Sequence, residues 1–221
     1  MSELDKELEA RGLRFVRYAE DSLIFVKSEK AANRVLTSIT KFFEKKLGLK
    51  VNVEKNRISR PSKIKFLGFG FYYDSNKKKF QLRPHKKSIQ KFQRKLRQLT
   101  KRNWSILLDD RIVKLKQVIF GWVNYFKIAN IKKILGTIEA KLRSGIRVII
   151  WKQWKNNKKR IKSLAQLGIP KEEAKGLTYC RKGYRFIGLS KVVQRALSNK
   201  RLRQRGIPFA LDHYLKVQTA M

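Results

Sequence analysis

At Pro84 the spacing of apolar side chains changes period, which restricts the chain to a mixed segment followed by a helical one. Before Pro84 the apolar runs are short. Residues 2–11 predict a helix capped by Ser2 and ended by Gly12. Phe15–Ala19 and Leu23–Val26 predict two strands around Glu20-Asp21-Ser22. Ser28 then opens a helix in which Ala32, Val35, Ile39, Phe42 and Leu47 recur at helical spacing, closed by Gly48. A strand is expected over 50–53, and a strand pair over 66–73 and 80–83, joined by Asp74-Ser75-Asn76-Lys77. Beyond Pro84, Phe92, Leu96 and Leu99 line one helix. Ile112, Leu115, Ile119, Trp122 and Phe126 line a second, opened by Asp109 and Asp110, whose charge suits the positive end of the helix dipole. A third helix is expected from Lys132 to Lys155, then shorter pieces punctuated by Gly168-Ile169-Pro170, Gly176, Gly183 and Gly206-Ile207-Pro208. The helical spacing of Trp122, Tyr125, Phe126, Trp151 and Trp154 assigns them to the core. The expected class is α+β, mixed over residues 1–83 and all-α over 84–221.

Charge constrains the partner. Lys and Arg number 55 against 16 Asp and Glu, a formal net charge of +39. Such an excess repels itself, and a polyanion relieves it. Nucleic acid, an anionic membrane and an acidic protein are the candidates. The interleaving of basic residues with Trp, Tyr and Phe favours nucleic acid, whose phosphates take the cations and whose bases stack on the rings. No apolar run approaches the roughly 18 residues of a spanning helix, and the Met1–Asp5 start lacks a signal-peptide pattern. Cys180 is the sole cysteine, so neither a disulfide framework nor a cysteine metal site is expected. A cytoplasmic protein follows from these readings. His85 and His213 have no ligand partners at metal spacing and receive no role.

Two kinds of feature carry chemistry. The first is the acidic pair Glu20-Asp21 between apolar strands. Phosphoryl transfer by two metals needs several carboxylates converging on ions about 3.5–4 Å apart, and an acidic hairpin tip is one way to supply some of them. Read alone, the same residues also fit an ordinary solvated turn. The second is the run of cations along the helices. Lys86, Lys87, Lys91, Arg94, Lys95, Arg97, Lys101 and Arg102 crowd the first helix after Pro84. Lys152, Lys155, Lys158, Lys159, Arg160 and Lys162 form a second cluster, and Arg181, Lys182 and Arg185 flank Tyr184, which is placed to stack on an unpaired base.

Tyr18-Ala19-Glu20-Asp21 resembles the Tyr-x-Asp-Asp box of reverse transcriptases, and the resemblance widens to the group II intron reverse transcriptases/maturases. Phe15–Asp21 is similar to their palm hairpin, with Glu20 where the family has Asp. Val51-Asn52-Val53-Glu54-Lys55 looks like the next palm segment, and Phe66-Leu67-Gly68-Phe69 like the primer-grip strand. Gly121–Phe126, Trp151–Lys155, Arg181–Tyr184 and Leu211–Lys216 resemble blocks of the thumb, or maturase, domain. The resemblance implies a partial palm over 1–83 and a helical thumb/maturase domain over 84–221. It makes Glu20 and Asp21 vestigial catalytic positions, Asp21 a metal ligand only if the palm is completed, and Lys55 the nucleotide-side lysine.

The departures from the family pattern are equally specific. Family members carry fingers, an earlier strand with the principal metal-binding Asp, and a Pro-Gln-Gly-type loop before this point. Glu20 is one methylene longer than the Asp it replaces, a misplacement that can cost about a hundredfold. The resemblance therefore implies no polymerase activity by this chain alone and no cofactor of its own, with Mg2+ binding only in a completed site. It implies group II intron RNA as partner, admits DNA and a second chain that completes the palm, and gives no counterpart to the family's C-terminal DNA-binding and endonuclease extensions. Phe66 and Phe69 read as sheet packing, and Lys55 by itself as a solvated strand-end lysine.

Overall fold

The structure is a computed structural model that describes residues 3–46, 48, 50 and 56–220. The Ser2 cap, Leu47, residues 51–53 of the expected strand, and Lys55 lie outside the described residues. Backbone contacts divide the chain into two units, Met1–Arg60 and Pro61–Met221.

The first unit runs α1 (Glu3–Ala10), β1 (Arg14–Tyr18), β2 (Asp21–Phe25) and α2 (Glu29–Lys46). Gly12 adopts φ +63 just past α1, and the amides of Gly12 and Leu13 close back on Glu9 and Leu8, so α1 stops where a left-handed residue becomes available. Ser28 caps α2 by accepting from the Ala31 amide at 3.2 Å. β1 and β2 pair antiparallel, with Phe15 opposite Ile24. Those two side chains pack on Leu4, Leu8 and Ile39 of the helices, while Val16 and Tyr18, on the alternate face, are exposed. The helices thus cover one face of a two-stranded hairpin.

The second unit opens with β3 (Lys65–Phe66), β4 (Phe69–Asp74) and β5 (Lys79–Pro84), paired antiparallel in that order. The single strand expected over 66–73 is broken, because Leu67 and Gly68 take φ +48 and +77 and reverse the chain. A Cβ at Gly68 would meet Ser88 Oγ at 3.2 Å. Phe69 lies against Tyr125 and Phe126, with ring centroids at 5.6 and 4.8 Å. This packing ties the sheet to the helices that follow it. Periodicity changes at Pro84, but the division by contact falls at Arg60.

The helices are α3 (Lys86–Leu99), α4 (Leu108–Phe126), α5 (Lys132–Gln153), α6 (Asn157–Gln166), α7 (Lys171–Thr178), α8 (Tyr184–Leu189), α9 (Lys191–Ala196), α10 (Asn199–Gln204) and α11 (Ala210–Thr219). Their apolar stripes converge on one core containing Leu96, Leu115, Ile119, Leu135, Ile146 and Leu164. Gly168 and Gly206, at φ +83 and +87, follow the ends of α6 and α10. Gly176, expected to interrupt the chain, lies inside α7 instead. The core assignment holds for Phe126 and Trp151, whereas Trp122 and Trp154 are half-buried. Tyr125 is a correction: it is 54% exposed, because its hydroxyl donates outward to the Leu67 carbonyl at 2.8 Å while its ring covers Phe69.

Cationic side chains close the C-terminal ends of four helices, where unpaired carbonyls concentrate negative charge. Arg111, 1% exposed, donates to the carbonyls of Leu99, Lys101 and Trp104 beyond α3. Arg160 donates to Trp154 O at 3.1 Å after α5. Arg201 reaches Leu167 O after α6 and Ala196 O at the end of α9. Arg147, also buried, donates to Leu197 O at 3.0 Å and to Asn199 Oδ1. The reverse charge serves the reverse end: buried Glu139 accepts from the Leu211 amide in the first turn of α11 at 3.0 Å, and from Arg143. Desolvation holds the Arg111 and Arg147 pKa values below the ordinary arginine range, Arg143 adding to the effect at Arg147.

Two predictions follow from this packing. At Gly188, where α8 crosses α5, an added Cβ would sit 2.7 Å from Val148 Cγ2 and 3.0 Å from the Ser144 carbonyl. Gly188→Ala is expected to cost about 1–3 kcal/mol in denaturant unfolding, and an unchanged midpoint would refute the close crossing. His85 caps α3 with Nδ1, which accepts from the Lys87 amide at 3.2 Å. Desolvation and then Lys65, Lys87 and Arg83 hold its pKa below the ordinary value. The neutral cap therefore contributes fully above about pH 6.5, and its contribution is lost as pH falls through the lowered folded pKa. His85→Asn, which caps without titrating in this range, should flatten the loss of stability between about pH 7 and 5 in thermal melts.

Candidate nucleic-acid interface

The acidic pair sits at a tight turn. Tyr18 and Asp21 form the last pair of the β1–β2 ladder, leaving Ala19, at φ +52, and Glu20 as the two turn residues. Asp21 and Ser22 lie in β2, so the turn falls one residue earlier than the sequence suggests. Glu20 and Asp21 are both exposed. Nearby, Arg17 donates to the Ala19 carbonyl at 2.9 Å and pairs with Asp5 at 3.0 Å. Among the described residues no group of three or more His, Cys, Asp or Glu could hold a metal. The two hairpin carboxylates therefore do not by themselves fit a two-metal clamp, which needs further convergent oxygen ligands.

The cations of α3 are placed differently. Phe92, Leu96 and Leu99 face the core, so Lys86, Lys87, Lys91, Arg94 and Lys95 stand on its exposed side. Between α3 and α4 lie two adjoining grooves. One of about 470 Å³ is lined by Lys91, Lys95, Phe92, Trp122 and Tyr125, with Leu67 and Gly68 at its end. The other, about 700 Å³, is lined by Lys95, Lys101, Lys114, Asn103 and Trp104. Lys95 and Val118 line both. Phe92 and Trp122 stack on each other at 4.5 Å with their planes 7° apart, and with half-exposed Tyr125 they make the wall of the first groove largely aromatic. Exposed lysines beside apolar rings are the combination that holds phosphates and bases together. Periodicity marks which α3 residues are exposed, but Lys114, Asn103 and Trp104 join them only through the crossing of α4 and the loop that precedes it.

The other predicted cations divide by what they touch. Lys155, Lys158, Lys159 and Lys162 are exposed. Arg160 is half-buried, bonded to Trp154 O and Asn157 Oδ1 and placed 5.0 Å over the Trp151 ring, so it holds the α5–α6 corner. Lys152 is exposed yet donates to the Arg102 carbonyl at 3.1 Å. Tyr184, expected to stack on a base, is half-buried at the start of α8 with the Arg102 guanidinium 4.4 Å over its ring. The exposed ring of that helix is Phe186, under Lys182 Nζ at 4.3 Å, while Arg181 and Arg185 remain exposed. Through Arg102 the structure joins the end of α3, the end of α5 and the start of α8, three cationic stretches far apart in sequence.

Residues 1–71 match the family model described as reverse transcriptase (RNA-dependent DNA polymerase), and residues 89–168 match that of the group II intron, maturase-specific domain. The chain belongs to the group II intron reverse transcriptases/maturases. No curated protein matches it. The maturase-specific match runs from within α3 to the end of α6 and holds the whole lining of the second groove, whereas the first groove also takes Leu67 and Gly68 from the reverse-transcriptase match. Residues 169–221 of this maturase, outside either match, supply α7–α11, including the Leu197 carbonyl that receives Arg147. Among its described residues no helix is long and apolar enough to cross a membrane.

The division of cations is testable. Arg160→Gln should lower thermal stability with little change in RNA affinity at a temperature where the variant is folded. Lys158→Gln with Lys159→Gln should do the opposite. Equal behaviour of the two variants would overturn the assignment of Arg160 to the scaffold.

Proposed function

We propose that this chain binds the RNA of a group II intron and assists its folding and splicing, without polymerising DNA by itself. The observation that carries the reading is the pair of lysine-lined grooves between α3 and α4, whose lysines all fall in the segment that matches the maturase-specific domain. Phosphates running past Lys91, Lys95, Lys101 and Lys114 would replace their counterions, and sixteen carboxylates cannot neutralise fifty-five cations whatever the fold. In this reading residues 1–83 are the C-terminal part of a palm and 84–221 the thumb/maturase domain. The ribonucleoprotein is cytoplasmic, bacterial or organellar. Arg94, Lys155, Lys162 and the Arg181–Arg185 cations extend the contact beyond the grooves.

A second reading is favoured by the match of residues 1–71. Here the chain is a component of an RNA-directed DNA polymerase, its palm completed by a segment or second chain that supplies the missing carboxylates. Mg2+ would then bind Asp21, with Glu20 beside it, and supply charge neutralisation for phosphoryl transfer, and DNA would join RNA as a partner. Lys55 would lie on the nucleotide side.

Filter binding to an intron transcript over a salt series separates these readings. The wild type should bind with a steep log–log salt slope, and Lys91→Gln with Lys95→Gln should reduce that slope by roughly 1.5. Glu20→Ala with Asp21→Ala should leave RNA binding unchanged. Equal affinity for duplex DNA and unrelated RNAs at physiological salt would replace the maturase reading with a general basic nucleic-acid protein. Deoxynucleotide incorporation by the chain alone, abolished by Asp21→Ala, would overturn it in favour of the polymerase.

A further inference from the structure

The β4–β5 hairpin carries an aromatic pair that no helix covers. Phe69, Phe71 and Tyr73 share one face of β4 by strand alternation. Phe69, at the near end, packs against α4 through Tyr125 and Phe126. At the far end Tyr73 and its cross-strand partner Phe80 are 54% and 49% exposed. Their rings meet edge to face with centroids 5.4 Å apart, so each fixes the other while leaving outward surface to solvent. Beyond them the turn presents Lys77, Lys78 and Lys79, all exposed.

The electrostatics of the hairpin are one-sided. Asp74 is the sole acid between Pro61 and Pro84. Its carboxylate is committed inward: Oδ1 accepts from the Asn76 and Lys77 amides, and Oδ2 from Gln81 Nε2 at 2.9 Å. Strand alternation puts Asp74 and its cross-strand partner Lys79 on the face opposite Tyr73 and Phe80, while Lys77 and Lys78 stand in the turn beyond the rings. Apolar rings held in place next to uncompensated ammonium groups fit a partner with both flat apolar faces and negative charge. Unpaired nucleotides have both. A duplex offers the charge but keeps its base faces stacked internally.

We infer that Tyr73 and Phe80 form a stacking platform for an unpaired stretch of RNA, with Lys77 and Lys78 holding its phosphates. The inference rests on the RNA-binding reading above and adds a site distinct from the α3–α4 grooves, selective for single-stranded segments.

The full chain would be tested against a 12-base-pair RNA stem and the same stem carrying an eight-nucleotide unpaired extension. Tyr73→Ala with Phe80→Ala should weaken binding to the extended RNA roughly tenfold and leave the blunt stem unchanged. Tyr73→Trp with Phe80→Trp should retain wild-type affinity for the extended RNA. Independently of any substitution, a 4-thiouridine in the extension should photocross-link the wild type within residues 71–82. No loss on the extended RNA, equal loss on both RNAs, a cross-link confined elsewhere, or a dimer of the wild type that the alanine variant abolishes would each overturn the platform. If the wild type binds neither RNA, the RNA-binding reading itself fails, which is a separate result.

Discussion

A chain with far more cations than carboxylates cannot build its interior from ion pairs, and in this protein the carbonyls at helix ends take the carboxylates' place. A carbonyl carries only partial charge, but several at a helix C-terminus sum to a useful negative potential. They need no counter-ion, because the peptide remains neutral. Arg111 and Arg147 are buried on this basis, and the surface-facing Arg160 and Arg201 use it too. Arg111 and Arg160 close the corners that lead into their own helices, whereas Arg147 and Arg201 reach parts of the chain 50 and 34 residues away. Desolvation penalises these charges, as their lowered pKa values record, and the hydrogen bonds offset that penalty. The apolar core supplies the bulk of the burial, while the arginines set which helix ends meet.

This use of the interior sorts the cations for function. Arginines bonded to carbonyls or lying over half-buried or buried rings are part of the scaffold. Arg160 on Trp151 and Arg102 on Tyr184 belong here. The lysines of α3, α4 and α6 instead stand in solvent, and Lys91, Lys95, Lys101 and Lys114 line adjoining grooves. Their mutual repulsion is a standing cost to the folded state that a polyanion removes. In the proposed reading binding and stability are coupled by charge, and the grooves between α3 and α4 give that coupling a location.

The unit that resembles the palm differs in kind. Its hairpin is well formed, with Phe15 and Ile24 packed beneath α1 and α2, and its tip holds Glu20 and Asp21 in the open. A catalytic metal site is instead an enclosure of converging oxygen ligands. Among the described residues no group of three or more His, Cys, Asp or Glu is placed to form such an enclosure. Strand pairing and apolar packing are determined within the hairpin and helices, whereas metal coordination needs carboxylates from distant segments.

Local signals determined much of this protein. The helical period of Ile112, Leu115, Ile119 and Phe126, the cap at Ser28 and the left-handed Gly12 each act over a few residues, so they are legible without any partner. The excess of positive charge and the family blocks are legible for the same reason. Tertiary structure alone decided which cations are available. Tyr184 reads as a stacking residue until Arg102, eighty-two positions earlier, is seen over its ring. Arg111 and Arg147 look like any other surface base until their carbonyl acceptors are known. The turn at Leu67-Gly68 was hidden because its positive φ at a non-glycine residue is held by packing on α3 and α4, not by residue type. Sequence fixes what a side chain can do within its own element; long-range packing chooses its partner, and here that choice separates scaffold from interface.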